Sequence, residues 1–358
     1  MNRSDIQLVN TRELYEGLRS LWVRVFGDEP GFVDAFYENF GADLSFGSGR
    51  SGNIDGYVIC NEEGDVISAL TLYRCGRLYV PEGYPYWEDE EAEEPEEEEM
   101  EALPVDLAGM PVYVSYAICT DPEYRGRGSA AALTGYVKEL VMTKYGGISL
   151  VSPAEPSLED FYAELGYRYG FTVSEGTGFP EMLLYNEEFD EDDDEEGMMW
   201  GLDAAGTPGF IEDEDFEAFD PGLNVVSADA ARYNTYREAF LADTVHVAFS
   251  DEMLEAVRMC SLNEDGLLVI NGGDAIAVIN DMSGEGSRLP RLVAQELLVN
   301  PMLMDISAEI DAEIAARLAI HYGLERLNYR TPGYGISQSM YAAEEGQEIT
   351  GYFGFPIE

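Results

Sequence analysis

The chain has 358 residues, 46% of them hydrophobic, with 71 acidic side chains against 20 basic ones and a formal charge of −51. That length suggests two domains at roughly 150 residues each, with enough apolar sequence for buried cores. A surface this negative argues against nucleic acid as a partner, because phosphate binding needs a basic face.

No run of about 18 apolar residues offers a membrane span. The opening segment MNRSDIQLVNTRELYEG lacks the apolar core of a signal peptide, so a cytoplasmic location is expected. Cys60, Cys75, Cys119 and Cys260 are scattered without C-x-x-C spacing and read as reduced, structural thiols. His246 and His321 are isolated, so neither a metal site nor a histidine triad is expected. Lysine is confined to Lys138 and Lys144. Such acidity fits either adaptation to high salt or a field that concentrates cationic ligands, and composition does not choose between them. Nothing in the sequence fixes an oligomeric state.

In chain order, TRELYEGLRSLWVRVF places Leu14, Leu18, Leu21, Trp22 and Val25 on one helical face, with Thr11 as its N-cap. Residues 31–40 read as a second short helix. The segment GYVICNEEGDVISALTLYRCGRLYV predicts two strands joined by a turn at 62–65. An acidic tract follows, with 11 carboxylates among the 14 residues 88–101. Such a block repels itself and buries nothing, so it reads as a surface insertion over 87–104. PVYVSYAICT is then a strand, 129–144 a helix, ISLVSPA a strand and LEDFYAEL a helix.

A second tract carries nine carboxylates in the ten residues 187–196 and opens a polar stretch that reaches Asn224. The predicted organisation is therefore a first domain over 1–185, a linker over 186–224 and a second domain over 225–358. The second half repeats the first's order weakly: a helix at 230–241, a hairpin around Asn271-Gly272-Gly273, a strand in RLVAQELLVNP, a helix at 308–323 and a strand-like end. Helices followed by a meander and then β-loop-helix-β-helix predict a mixed α/β sheet.

One stretch breaks the acidic pattern. In CTDPEYRGRGSAAALTGYV, Arg125, Gly126, Arg127 and Gly128 fall between a predicted strand and a predicted helix. A strand that turns tightly into a helix aims backbone N–H groups and the positive dipole end at one spot. Glycines let the chain bend and a ligand approach the backbone, and Ser129, Ala130, Ala131 and Ala132 keep the first turn free of bulk. The ligand favoured is an anion, most naturally a phosphate or pyrophosphate. A plain glycine turn with two solubilising arginines is the competing account. Neither a Walker loop nor GxGxxG is present.

Arg125-x-x-Gly128-x-Ala130 after a strand resembles the coenzyme A loop of the Gcn5-related N-acetyltransferases, whose pattern is Gln/Arg-x-x-Gly-x-Gly/Ala. VSYAICTDPEYRGRG resembles that family's fourth strand and pyrophosphate loop. LVSPAEPSLEDFYAELGY resembles its fifth strand and next helix, with Tyr162 and the pair Gly166-Tyr167 at the customary places, and LWVRVFGDEPGFVDAFYENF resembles its opening helices. The likeness covers roughly residues 5–185.

The resemblance implies an N-acetyltransferase with acetyl-CoA as co-substrate and no metal. The backbone of Arg125, Gly126, Arg127, Gly128, Ser129 and Ala130 would wrap the pyrophosphate, and that of Ile118, Cys119 and Thr120 would hold the pantetheine arm. An N–H near Ile118 would polarise the acetyl carbonyl, and Tyr162 would protonate the departing thiolate. An asparagine that many relatives use to hold pantetheine is replaced here by Glu and Ser. The second half is similar to the degenerate copy in tandem acetyltransferases of the enhanced-intracellular-survival type. The expected acceptor is a primary amine on a cationic small molecule, whose identity the sequence does not name. A non-catalytic acyl-CoA sensor and an acidic interaction protein stand as alternatives.

Overall fold

The computed structural model describes residues 5–46, 52–81, 107–173, 176–178, 198–202, 208–212, 225–260, 266–270, 272–273, 275–281, 292–299, 337–343, 349 and 351–354. Both acidic tracts, His321 and the helix expected at 308–323 lie outside them.

After a short strand β1 (Ile6–Leu8), helix α1 (Arg12–Phe26) starts where expected. Thr11 is extended, and its hydroxyl accepts from the Leu14 N–H at 3.3 Å. Gly27 ends the helix at φ 84° and returns its N–H to the Val23 carbonyl. Helix α2 (Pro30–Asn39) opens on a proline, whose missing N–H costs nothing in the first turn. The two helices pool Trp22, Phe36, Tyr37 and Phe40 with Tyr73 and Tyr116 of the sheet in an edge-to-face and stacked cluster. Within it, the buried Tyr37 hydroxyl lies 2.9 Å from Thr71 Oγ1.

Strands β2 (Ile54–Cys60), β3 (Val66–Tyr79) and β4 (Pro111–Thr120) form an antiparallel meander. The β2–β3 turn closes through Asn61, whose backbone and side chain both bond Asp65. Helix α3 (Ser129–Leu140) then crosses to β5 (Ile148–Val151), which runs parallel to β4. The helix expected to reach residue 144 loosens instead into a π-type turn over Val141–Tyr145. A short helix α4 (Glu159–Glu164) leads into β6 (Arg168–Val173). This is the mixed α/β sheet the pattern predicts.

Later residues complete that sheet. β7 (Gly176–Gly178), β8 (Met198–Leu202), β9 (Pro208–Glu212) and β10 (Val225–Ser227) come first in the chain, followed by β11 (His246–Phe249). Then come β12 (Leu267–Ile270), β13 (Ala275–Asp281), β14 (Leu292–Val299), β15 (Ser337–Ala342) and β16 (Gly351–Tyr352). Among the described residues the strand order is β1-β2-β3-β11-β16-β6-β15-β5-β4, and β4 also pairs with β3, so the order returns on itself. Gly76 of β3 is needed at the junction with β11, because a Cβ there would stand 2.1 Å from the Ala248 carbonyl oxygen.

The chain divides into two compact units. One holds residues 1–171, 242–260 and 338–353, the other 172–241, 261–337 and 354–358. Residues 242–260 and 338–353, which the sequence pattern assigns to the second domain, thus belong with the first. The helix Asp251–Cys260 was not foreseen. In the second unit, β10, β12, β13, β14 and β7 form an antiparallel sheet, and β8 pairs with β9. The helix Ala230–Phe240 lays the fully buried Arg237 against the fully buried Glu296 of β14, Nε to Oε1 at 3.1 Å. The Tyr233 hydroxyl donates to the other carboxylate oxygen at 2.6 Å.

Candidate active site

The site begins where β4 leaves β5. The two strands pair only from Val112↔Ile148 to Val114↔Leu150. Beyond Ser115, β4 continues to Thr120 with β3 on one edge and no described strand on the other. Two residues, Ala117 and Ile118, stand opposite Leu70 alone, and Ala117 takes a φ of 48°. This β-bulge bends β4 and stores strain at a side chain that has a Cβ.

The direction of the backbone groups follows from what β3 receives. The Cys119 carbonyl accepts from Ser68 Oγ at 3.0 Å, and the Asp121 N–H donates to the Ile67 carbonyl at 2.9 Å. Because a strand alternates its edges residue by residue, the peptide groups of Ile118 and Thr120 turn the other way, toward the open edge. Cys119 itself is buried, and burial pushes its thiol up to about 12. It stays protonated at neutral pH and is no nucleophile.

Between β4 and α3 the chain makes a preformed loop. Asp121 shapes its entry: one carboxylate oxygen accepts from the Glu123 N–H at 3.0 Å, and the other meets Arg24 Nη2 of α1 at 2.6 Å. A 3-10 turn, Pro122–Tyr124, follows. Arg125 Nε donates to the Thr120 carbonyl at 3.1 Å, and Arg127 donates to the Glu123 carbonyl at 3.0 Å while lying over the Tyr124 ring. Both guanidinium groups are exposed, each steadied by one bond and carrying further N–H donors.

Gly126 and Gly128 adopt φ of 74° and 81°, the left-handed region, and a Cβ at either would meet nothing within 4 Å. Glycine is therefore required by backbone conformation and not by packing. Gly128 is the N-cap of α3 and offers no side chain of its own. The first intrahelical bond runs from the Ala132 N–H to the Gly128 carbonyl, so the N–H groups of Ala130 and Ala131 lie ahead of the ladder. Two arginines, a helix dipole and these donors make an anion cradle with no bulk in front of it.

Tyr162 stands on α4. It is 6% exposed, and burial pushes its phenol up to about 12. Its ring packs edge-on against Phe161 and Tyr167, in a cluster with Val151, Met340 and Ala342 against which Ile118 also packs. Tyr162 and the bulged part of β4 thus share one patch at the fork between β4 and β5. The α4–β6 turn is secured by Gly166 at φ 84° and by Lys138 of α3, whose ammonium donates to the Leu165 carbonyl.

All ten residues singled out from sequence fall on these three connected pieces: the end of β4, the loop into α3, and α4. Two features escaped the sequence reading. The Arg24–Asp121 pair joins residues 97 positions apart, which no local pattern encodes, although Asp121-Pro122 is itself a turn signal. The contact between the Tyr167 hydroxyl and Ser149 Oγ, at 2.9 Å, was likewise unseen. Among the described residues, no group of three or more His, Cys, Asp or Glu is placed to hold a metal ion. None of the described helices is long and apolar enough to cross a membrane.

No protein-family model matches the sequence, and no curated protein matches it. Solved structures do resemble it. A GCN5-related N-acetyltransferase from Anabaena variabilis superposes with a TM-score of 0.51 at 11% identity, covering 94% of this chain and 72% of its own. A GCN5-related N-acetyltransferase from Kribbella flavida gives 0.46 at 15% identity, covering 95% and 72%. Eis1 from Mycobacterium abscessus gives 0.45 at 14%, covering 89% and 63%. The chain therefore spans between 63% and 72% of the length of these proteins. The likeness is one of fold: this chain has the fold of the Anabaena acetyltransferase.

Proposed function

We propose that this protein is an acetyl-CoA-dependent N-acetyltransferase that acetylates a primary amine, a cationic small molecule, by direct attack within a ternary complex. The observation that carries the reading is the anion cradle of residues 125–130 set directly after a strand with an open edge. Pyrophosphate would meet the N–H groups at the start of α3 and the guanidinium groups of Arg125 and Arg127. The pantetheine amides would extend the sheet along Ile118, Cys119 and Thr120, using the outward peptide groups of Ile118 and Thr120.

With the thioester against the bulge, the amine nitrogen attacks the acetyl carbonyl carbon. The Ile118 N–H stabilises the charge that develops on the carbonyl oxygen. As the C–S bond breaks, the sulfur takes a proton from Tyr162, and solvent restores it. A phenol raised to about 12 by burial is fully protonated at neutral pH, which suits a donor and not a base. Water removes the extra proton from the amine, and positioning supplies much of the rate.

The test is a thiol-release assay with acetyl-CoA against a panel of primary amines, for wild type and Tyr162→Phe. Amine-dependent release is expected, with kcat falling about 10²–10⁴-fold in the variant at unchanged acetyl-CoA affinity. Tight acetyl-CoA binding without release for any amine would favour a sensor instead. Failure to bind coenzyme A would remove the reading altogether.

A further inference from the structure

One buried phenol has no part in the chemistry above. Tyr167 is 3% exposed, and its hydroxyl lies 2.9 Å from the Oγ of the fully buried Ser149. Ser115 of β4 is also buried, and its Oγ has no hydrogen-bond partner among the described residues. Burial raises the Tyr167 pKa and Ser149 opposes the rise, so the group is neutral and acts by hydrogen bonding.

These hydroxyls mark one place. Ser149 pairs with Tyr113 and Leu150 with Val114, which is the last rung between β4 and β5. Ser115 is the next residue of β4, the first beyond that rung. The three groups therefore sit at the root of the fork whose open edge would take the thioester arm. Tyr167 also grips Tyr162 directly. Their rings are 6.0 Å apart at 73°, and the Tyr167 N–H donates to the Tyr162 carbonyl at 3.1 Å.

We propose that Tyr167 is a positioning residue, whose hydroxyl ties the end of α4 to Ser149 at the root of the fork and thereby fixes both the Tyr162 phenol and the opening between β4 and β5. A phenyl ring would fill the same volume and keep the edge-on contact, but it would leave the tie to β5 unmade. The proposal rests on the catalytic reading of Tyr162 for its kinetic part and on the strand geometry alone for the rest.

The test is Tyr167→Phe in the full-length protein, with Ser149→Ala as a second variant that cuts the same bond from the other side. Hydrogen exchange over 112–120 and 148–151 is expected to speed up by about threefold or more in both variants, with α1 unchanged. In thiol release from acetyl-CoA with 1,4-diaminobutane, kcat should fall by roughly 5–20-fold while KM for acetyl-CoA stays within about twofold. In a Tyr162→Phe background, the same change should alter kcat by less than about twofold. Unchanged exchange in both variants overturns the proposal, whether or not the diamine is a substrate. An equal loss of kcat in the two backgrounds also overturns it, since Tyr167 would then act independently of Tyr162. If Tyr162→Phe alone is silent while exchange still rises, the tie stands and the catalytic reading of Tyr162 falls.

Discussion

Gly128→Glu puts the anion cradle to its sharpest test. Gly128 holds φ 81° at the N-cap of α3, and a Cβ there meets nothing within 4 Å. A side chain in the left-handed region costs about 1–2 kcal/mol per residue, a loss of stability that appears with or without ligand. It should lower Tm by several degrees, about 2–4 °C per kcal/mol for a chain of this class. The carboxylate adds a second effect, felt only when coenzyme A is bound. A like charge about 4 Å from a phosphate is repelled by about 1 kcal/mol in bulk water and about 4 kcal/mol at a protein surface. The exposed loop lies between those limits, so affinity should drop by about 10- to 100-fold or more. Gly128→Ala carries the backbone strain without the charge, and should match the glutamate variant in Tm loss while keeping Kd within about threefold. Calorimetric titration with coenzyme A at low salt reads both. A glutamate variant that melts lower but binds like wild type would refute the cradle.

Two further outcomes follow from the same geometry and from the charge pattern. Burial holds the Tyr162 phenol at about 12 against an ordinary 10, so the folded state binds that proton more tightly than the unfolded one. The stabilisation is complete below about pH 10 and is lost as pH rises through about 12, a change of roughly 2–3 kcal/mol. Urea midpoints compared at the two ends of that window should fall less for Tyr162→Phe than for wild type, and equal falls would show that this phenol does not titrate on unfolding. Glu96→Gln, Glu97→Gln, Glu98→Gln and Glu99→Gln together should lower kcat/KM for a cationic amine at low salt. That loss should vanish as the Debye length shrinks from about 10 Å at 0.1 M to about 3 Å at 1 M salt, whereas identical kinetics at both salts would leave the tract a solvated surface.

The sequence was most readable where structure is local. The Thr11 cap, the 62–65 turn and the strand-to-helix passage through Gly126 and Gly128 are each decided within a few residues, by a hydroxyl, a turn sequence or a glycine. Long-range pairing left no such trace. His246↔Tyr79 and Met340↔Val151 join residues far apart in the chain, and no periodicity in either segment names its partner. The Ala117 bulge was equally hidden, because alanine has no marked preference for positive φ. Tyr167 stood out in the sequence only as half of the Gly166-Tyr167 pair, and nothing local placed Ser149 beside its hydroxyl.

The closure of the first sheet by β11, β16 and β15 bears on how the protein is made. During synthesis at about 5–20 residues per second, β3 and β5 emerge long before the strands that cover their second edges. A nascent chain holding only 1–185 has the whole anion cradle but lacks Phe249, Tyr341 and Tyr352, all buried in the finished sheet. Its exposed strand edges are templates for pairing with other chains. The residues of the loop between β4 and α3 are thus all made early in synthesis, while the strands that complete the sheet beside it wait for residue 352 to leave the exit tunnel.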